Sequence, residues 1–573
     1  MSVPMVTKTV TTTALAAMAP PSLEALGDSF AQTFVYYLNF LGKLPGGSII
    51  LKYIKLSYKN DPIRSLFELA LFIFAVHYFL SSKRKENKAD TIRFSDKEIN
   101  ELVAEWEPEP LVDEVTPREK WLMKSIPQII GANGSKAFIK GVDGPVVNFA
   151  SCDYLNMSEL ERVREVTKLV ISSSGVGACG PPNFYGSADV HVRLEEDLAT
   201  YLGAERAILY GQDFVTAGSV LPSFLKRGDL CVVDSGINLA IQKALIVSRC
   251  DIEWFDHNDP EHLEQILNEL KPVLDKQKIR RRFIVTEGIF ETSGEICSLP
   301  KIVELKDRFK YRLFLDESRS IGVLGQNGKG VAEHYNIPRS DINITIGALS
   351  NSFASSGGFC VGVVPMIHHQ RILSLAYVFS ASLPPYCAKV ASEVIHQILE
   401  STDDGRSSSS IISQLRDITK FSYQLMEKHL SSELTIYSDS NNPLIHVGLA
   451  QKYRELLGFP NYYGSAQFLT TGKPSRYLNE FDKYYNWESF ILQKIIDLTL
   501  KNSNILITRS KLILEHESLP VLGPHLLINI KRTTTKQQVE DLAHALASSS
   551  KKVFANLHNN IDVLNLEREL LDY

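Results

Sequence analysis

An apolar run near the N-terminus is the strongest constraint on what this chain can fold into. Residues 65–82 read SLFELALFIFAVHYFLSS, with Glu68 and His77 as the only ionisable side chains. In hydrocarbon such a segment must be helical, and at about 1.5 Å per residue it would be about 27 Å long. We therefore predict a transmembrane helix over 65–82, with Glu68 near the interface or against a partner helix. The alternative is a short helix buried in a protein core.

The basic residues that follow this run predict how it is oriented in a membrane. The basic residues 83–85 follow it directly, and such clusters are retained on the cytosolic side of a membrane. We expect a lumenal or interfacial region over 1–64 and a cytosolic body after the helix. Residues 1–27 lack the pattern of a cleaved signal peptide. Residues 28–58 contain aromatic, apolar stretches too short to span, which fit either an interfacial helix with a turn or a surface for a partner.

Composition excludes several classes of function. Of the 573 residues 44% are apolar and 22% charged, with a net charge of -5, as in globular proteins with an ample core. Because the charges are nearly balanced, we expect no nucleic-acid partner. The seven cysteines all follow residue 150 and form no C-x-x-C pair, so we expect a reducing compartment, no disulfide framework and no metal site.

From about residue 159 onward, short β-rich runs alternate with helix-like segments. The runs are Ala207–Tyr210, Leu230–Val233, Phe283–Thr286, Arg312–Leu315 and Ile344–Ile346. This alternation predicts βαβ units and an α/β fold with a mostly parallel sheet. We divide the rest of the chain into a linker and N-terminal arm (83–158), a large domain (159–395) and a smaller C-terminal α/β domain (396–573).

Ordered motifs between about residues 170 and 390 are more specific than this alternation. They are GACG at 177–180 with FYG at 184–186, HVRLEEDLA at 191–199, FDHND at 255–259, EGIF at 287–290, LDESRSIGVLG at 315–325 and GALSNSFASSGGF at 347–359. In kind and order they resemble the motifs of the α-oxoamine synthases, which are fold-type I pyridoxal phosphate (PLP) enzymes. The glycines at 175–180 also match a dinucleotide fingerprint, which we reject because helix-like residues precede them.

The resemblance implies an active site from which several groups are missing. Asn351 stands where the family has the lysine that holds PLP, and an amide nitrogen cannot form that bond. Asp316 matches the aspartate that pairs with the ring nitrogen, although it could equally cap the next helix. Asn238 replaces the histidine that stacks on the ring, and Arg319 replaces a second histidine. Leu527 aligns with the arginine that grips the substrate carboxylate. We expect these to be remnants of the chain's own site.

Family members are dimers in which each subunit lends residues to its neighbour's site. Ser380 and Ser382, in FSASLPP at 379–385, match the segment that reaches the neighbour's cofactor phosphate; the alternative is a plain turn before a helix. Cys179 lies in the glycine-rich loop beside the family's pocket. The alternative interpretation is that Cys179 is simply a small buried residue. We expect these three residues to act in trans.

Together, the membrane segment, the motifs and Asn351 resemble the non-catalytic first subunits of eukaryotic, and among them fungal, serine palmitoyltransferases. This resemblance implies an endoplasmic reticulum enzyme that condenses L-serine with palmitoyl-CoA to 3-ketosphinganine. A lysine-bearing second subunit would bind PLP covalently, whereas this chain would not. A small activating subunit, Orm-type regulators and the lipid bilayer are the other implied partners. The alternatives are a homodimeric oxoamine synthase that uses another lysine, such as Lys329, and a membrane scaffold without enzymatic partner.

Overall fold

The computed structural model describes residues 35–36, 39–40, 42–43, 45–81, 94–108, 111–112, 114–115, 117–276, 280–403, 410–464 and 483–573. The basic residues 83–85 and most of the predicted lumenal segment before residue 45 lie outside this part of the chain. The chain divides into two compact units, Met1–Asp113 and Glu114–Tyr573, which are described separately.

The described part of the first unit includes the helices α1 (Gly47–Asn60), α2 (Pro62–Ser81) and α3 (Asp96–Glu105). The predicted transmembrane run lies almost wholly within α2, which begins three residues earlier. It begins there because proline is favoured in the first turn of a helix, and because Asp61 accepts hydrogen bonds from the next backbone N–H groups, including that of Arg64 at 3.1 Å.

Helix α2 is long and apolar enough over Pro62–Leu80 to cross a bilayer, and none of that stretch is buried. A helix of a soluble core would be largely buried, so its exposure favours the membrane interpretation. Glu68 lies near the start of α2, where its carboxylate pairs with the Arg64 guanidinium at 3.0 Å. This pairing within the helix lowers the cost of an acidic side chain close to lipid.

The second unit begins with a helix and three short strands. They are α4 (Pro117–Lys124), β1 (Ile129–Ile130), β2 (Lys136–Ile139) and β3 (Val146–Asn148). The large α/β region follows with α5 (Glu161–Ser174), α6 (Asp189–Leu202), β4 (Arg206–Tyr210), α7 (Asp213–Phe224), β5 (Leu230–Asp234), α8 (Leu239–Ser248), β6 (Asp251–Phe255), α9 (Pro260–Leu274), β7 (Arg282–Glu287), α10 (Leu299–Phe309), β8 (Arg312–Asp316), α11 (Val331–His334), β9 (Ile344–Ala348), β10 (Gly358–Gly362), α12 (Val364–Leu373), α13 (Leu375–Phe379) and α14 (Pro385–Asp403). The C-terminal elements are α15 (Ile411–His429), β11 (Leu434–Ile436), β12 (Leu444–Leu449), α16 (Gln451–Leu457), α17 (Lys483–Ser503), β13 (Ile505–Leu506), β14 (Thr508–Arg509), β15 (Leu526–Asn529), α18 (Lys536–Phe554) and α19 (Asn560–Asp572).

A seven-stranded sheet in the order β4-β10-β9-β8-β7-β5-β6 forms the centre of the large region. Strands β6, β5, β7, β8 and β9 are parallel, and β10 runs antiparallel to both of its neighbours. Every β-rich run predicted from the sequence is a strand of this mostly parallel sheet. The carboxyl ends of β5, β7 and β8 therefore bring Asp234, Glu287 and Asp316 to one edge, with Glu287 opposite Asp316.

Helices cover both faces of this sheet, which is why its strands are almost continuously apolar. In β8, Leu313 and Leu315 pack into one hydrophobic cluster and Phe314 into another on the opposite face. Since successive side chains of a strand point to opposite faces, this alternation fixes the register of the strand between two layers of helices.

The C-terminal region has an antiparallel sheet in the order β11-β12-β15-β14. A second small sheet joins β1, β2 and β3 to β13, with Val147 paired with Ile505. Residues 129–148 of the predicted N-terminal arm thus pair with a strand from the predicted C-terminal domain. The boundaries at 158 and 395 stay a prediction.

Candidate functional site

Asn351 lies in the loop between β9 and β10 and is 7% exposed. Its side-chain nitrogen donates to the carbonyl oxygen of Ser318 at 2.7 Å. The backbone carbonyl oxygen of Asn351 accepts from the backbone N–H groups of Asp153 and Tyr154, at 3.1 and 3.0 Å. Asn351, which the motif resemblance places at the lysine position, therefore ties three separate stretches of the chain together.

The guanidinium of Arg319 fills the space beside Asn351. Its Nη1 donates to Asn351 Oδ1 at 3.4 Å, to Cys152 Sγ at 3.2 Å and to the Tyr154 hydroxyl at 3.3 Å. Its Nη2 pairs with the Glu291 carboxylate at 2.6 Å. Burial disfavours the charge, but Glu291, Tyr154 and Cys152 together outweigh it and raise the pKa of Arg319. A permanent cation thus lies next to position 351.

Asp316 and Asn238 are in direct contact. The amide nitrogen of Asn238 donates to Asp316 Oδ2 at 3.1 Å, and the backbone N–H of Ser318 donates to Asp316 Oδ1 at 2.8 Å. Burial raises the pKa of Asp316, although both hydrogen bonds oppose that rise. Asp316 therefore stabilises a turn at the end of β8 and does not cap the next described α-helix, α11, whose N-cap is Gly330. Asn238 caps a different helix, α8, in whose first turn its Oδ1 accepts from Ile241 N at 3.1 Å.

Glu287 is a further buried carboxyl at this edge, and the sequence marks it only as part of the EGIF motif. It accepts the backbone N–H of Asn238. Burial, followed by the nearby charges of Asp316 and Glu291, raises its pKa well above the usual value. The signal for it was the position of an acid at the end of a buried strand, as for Asp316.

His257 joins the group from the loop after β6. Its Nδ1 lies 2.8 Å from Asp234 Oδ1, and its Nε2 lies 2.8 Å from Glu295 Oε2. Burial opposes its protonation, but the hydrogen bonds to both carboxylates raise the pKa of His257 to about 10. The ring also packs edge-on against Phe290 at 4.4 Å. His257 is therefore a cation that holds β5 to the loop after β7.

The residues expected to act in trans lie on two loops that pack against each other. The backbone N–H of Ser382 donates at 3.0 Å to the carbonyl oxygen of Gly180, the residue that directly follows Cys179. Gly186 permits this approach, since a Cβ there would lie 2.0 Å from the Gly180 oxygen. Cys179 is exposed with a φ of 57°, so its interpretation as a small buried residue is wrong. Ser380 is exposed, and the buried hydroxyl of Ser382 has no hydrogen-bond partner among the described residues.

Leu527 and Lys329 lie elsewhere. Leu527 is in β15, opposite His446, and packs against the core of the large region, as an aliphatic side chain does. Lys329 lies in the loop after β8, where its backbone N–H donates to Glu333 at 3.0 Å and its carbonyl oxygen accepts from Arg339 at 2.7 Å. Among the described residues, Lys329 makes no hydrogen bond or ion pair with the cluster of Asn351, Arg319, Asp316, Asn238 and Glu287, which we call the Asn351 group.

These residues do not fit PLP held by this chain. Position 351 has no amine, the Asn238 amide is hydrogen-bonded to Asp316, and Arg319 fills the adjoining space. Within the described part of the chain, no three His, Cys, Asp or Glu residues are grouped to hold a metal ion.

A separate cavity of about 210 Å³ lies in the C-terminal region. Its lining residues are Tyr437, Leu449, Gln451, Arg454, Asn461, Tyr462, Glu488, Leu522, Gly523 and His525. The Arg454 guanidinium is paired there with the buried Glu488 carboxylate at 3.0 Å. Because this pair is already neutralised, the cavity presents no free charge to a ligand.

Comparison with known proteins identifies the family. The aminotransferase class I and II family matches residues 144–456. Serine palmitoyltransferase 1 of Saccharomyces cerevisiae is 37% identical over 535 residues, which cover 90% of this chain and 94% of the yeast protein. The chain belongs to the serine palmitoyltransferase 1 family. Within this family, the protein of Dictyostelium discoideum is 32% identical over 86% of this chain and 95% of its own length.

Solved structures confirm the fold-type I PLP transferase fold. A serine palmitoyltransferase described with a PLP internal aldimine superposes with a TM-score of 0.61 at 18% identity, over 80% of this chain and 99% of that one. The enzyme of Sphingomonas wittichii gives a TM-score of 0.61 at 19% identity, over 80% and 98%. The large sheet and the smaller C-terminal sheet therefore belong to this fold.

Proposed function

We propose that this chain is the serine palmitoyltransferase subunit that does not hold PLP, and that a lysine-bearing second subunit binds the cofactor covalently. The observation that carries the proposal is Asn351, a buried amide at the family's lysine position with both side-chain atoms engaged. The condensation of L-serine with palmitoyl-CoA to 3-ketosphinganine, the first step of sphingolipid synthesis, then takes place in the partner's site.

The electrostatics of the Asn351 group support this division of labour. PLP bound in such an enzyme acts as an electron sink and needs an ionised carboxylate at its ring nitrogen. Here burial raises the pKa of Asp316 and of Glu287 beside it, which favours their neutral forms. The Arg319–Glu291 ion pair closes the adjoining space. The chain's own residues therefore stabilise a closed, cofactor-free arrangement.

The loops of Cys179, Ser380 and Ser382 support a contribution in trans. Large apolar side chains next to them are exposed, with Phe184 at 65% and Phe379 at 70%, which is typical of a surface that a partner covers. Exposed Ser380 can reach a phosphate oxygen of a neighbouring cofactor, and the buried, unpartnered Ser382 hydroxyl would join it once this loop opens towards the partner.

Localisation follows from helix α2. We propose that it anchors the chain in the endoplasmic reticulum membrane with the N-terminus in the lumen and the body in the cytosol. The site then lies on the side where palmitoyl-CoA is available, and the lipid product forms close to a bilayer. A small activating subunit and Orm-type regulators are proposed to bind the membrane-facing helices.

The test is to purify the chain alone and together with its lysine-bearing partner, and to treat both with PLP and borohydride. Reduction makes the PLP–lysine bond permanent, and peptide mapping then locates it. We expect the label only on the partner. A labelled peptide from this chain, for example one containing Lys329, would reject the proposal, as would full turnover by the chain alone. Failure of this chain to co-purify with the partner would favour the scaffold alternative.

A further inference from the structure

Helix α1 has its charges on one side and large apolar side chains around the rest. At about 100° per residue, Lys52, Lys55 and Lys59 fall within an arc of about 60°. The helix contains no acidic residue. The lysines are exposed, and the helix itself has no carboxylate to neutralise their charges.

The apolar part of α1 is exposed as well. The exposed side chains are Ile49 (73%), Ile50 (52%), Tyr53 (58%), Ile54 (54%), Leu56 (52%) and Tyr58 (66%). Gly47 is the only residue of α1 that is buried. An apolar surface this wide exceeds the narrow stripe with which a helix docks into a protein groove, and it matches a helix lying in the plane of a membrane surface.

The position of α1 along the chain supports the same conclusion. Only Asp61 separates it from α2, and the Ser57 hydroxyl contacts the Ser65 hydroxyl at 2.9 Å across that junction. With 14 residues, α1 is about 21 Å long and cannot itself span the hydrocarbon. It is therefore held where α2 enters the bilayer, at the level of the lipid headgroups.

We propose that α1 is an in-plane membrane helix whose lysine row, Lys52, Lys55 and Lys59, binds anionic phospholipid headgroups. The tyrosines 53 and 58 suit the same depth, because their rings are apolar and their hydroxyls are polar. The proposal goes beyond the catalytic assignment and depends only on α2 spanning the bilayer.

The test uses the full chain with its partner in nanodiscs of phosphatidylcholine, with or without about one-third phosphatidylserine. Hydrogen–deuterium exchange over residues 49–60 is the measurement. We expect exchange to slow by about tenfold or more when phosphatidylserine is present, because each lysine near an anionic surface gains binding energy. The variant K52Q/K55Q/K59Q should lose this lipid dependence.

The matched control is K140Q/K168Q/K271Q, which removes the same charge from exposed positions of the body. It should keep the lipid dependence. Equal exchange in both lipids, or an equal loss in both triple variants, would overturn the proposal. Equal protection in lipid-free detergent with the partner bound would show that α1 binds protein instead. A chain that does not enter the discs would refute α2 as an anchor, an outcome separate from the borohydride labelling result.

Discussion

At the residue scale, Asn351 is more than a missing lysine. Its amide accepts from Arg319 and donates to Ser318 O, two roles that an ammonium group cannot combine because it only donates. The neighbouring Arg319 donates to the Asn351 side chain and is neutralised by Glu291. Asn351 and Arg319 are thus parts of one arrangement.

We therefore expect Asn351→Lys alone to restore neither PLP binding nor turnover in this chain. The new ammonium would lie beside the Arg319 guanidinium, and the ring-stacking histidine and carboxylate-binding arginine would still be absent at 238 and 527. Borohydride trapping and peptide mapping of the purified variant provide the measurement. Substantial turnover by this single variant would show that positions 238 and 527 have been misread.

Ser382→Ala should weaken PLP retention by the partner in the assembled complex. A hydrogen bond to a charged group contributes about 1.5–3 kcal/mol, so we expect the partner's PLP dissociation constant to rise by about tenfold or more. Ser172→Ala is the matched control, because the Ser172 hydroxyl is exposed and bonds only within its own helix, to Lys168 O at 2.9 Å. An unchanged dissociation constant for Ser382→Ala would remove Ser382 from the partner's site.

His257 predicts a pH dependence of stability. Its pKa in the folded chain is about 10, above the usual 6.5, because Asp234 and Glu295 stabilise the cation against burial. Its stabilisation is complete below about pH 6.5 and is lost as pH rises through about 10. We expect His257→Gln to lower the thermal midpoint more at pH 6 than at pH 9.5, whereas exposed His558→Gln should not. A pH-independent difference would contradict the ion-pair assignment.

At the element scale, Asn238 couples helix α8 to the site. It caps α8 through Oδ1 and holds Asp316 through Nδ2, so one side chain fixes both the start of a helix and the end of strand β8. This dual contact gives asparagine a structural role at position 238, whether or not a cofactor is bound.

Asn238→Ala should cost more stability than loss of a helix cap alone. A cap contributes about 1 kcal/mol, and the loss of a hydrogen bond to buried Asp316 adds about 1–3 kcal/mol. The control is Asn559→Ala, which removes the exposed cap of α19, where Asn559 accepts from Ile561 N at 2.8 Å. Urea denaturation of both variants measures the difference. Equal midpoints would show that the Asn238–Asp316 contact contributes nothing.

At the scale of the whole molecule, the C-terminal region contains a buried neutral histidine that should make the protein sensitive to acid. Burial, and then the charge of Arg454, lowers the pKa of His525 to about 4. Its ring stacks on Tyr437 with centroids 4.6 Å apart. Because the unfolded chain binds a proton below about pH 6.5 and the folded chain does not, stability falls as pH drops from 6.5 towards 4.

We expect His525→Gln to make the thermal midpoint less dependent on pH between 6.5 and 4.5, even though the midpoint of the variant at pH 6.5 is lower than that of the wild type. The full effect of one such group is about 3 kcal/mol, since each unit of pKa corresponds to about 1.4 kcal/mol. His558→Gln is again the control. The same acid slope in both variants would assign the sensitivity to other groups, such as the neighbouring His446.

Two strands of the central sheet were not predicted from the sequence, for a clear physical reason. Strand β6 reads DIEWF at the edge of the sheet and is only partly buried, so it lacks a continuous apolar run. Strand β10 begins at Gly358 inside a glycine-rich motif, and glycine disfavours a strand assignment. Strand β6 is stabilised by pairing with β5, and β10 by pairing with β9 and with the distant β4, and local composition does not encode these pairings.

The sequence alone determined the features that are local: the apolar run of α2, the central strands, the order of the family's motifs and the absence of an amine at 351. These depend on residue type and spacing along the chain. Only the tertiary structure decided that Arg319 fills the place beside Asn351, that Glu287 lies against Asp316, that Cys179 is exposed and that His525 is buried near Arg454. Those contacts join residues far apart in the chain, and their charges depend on burial, which arises only when the sheets and helices pack together.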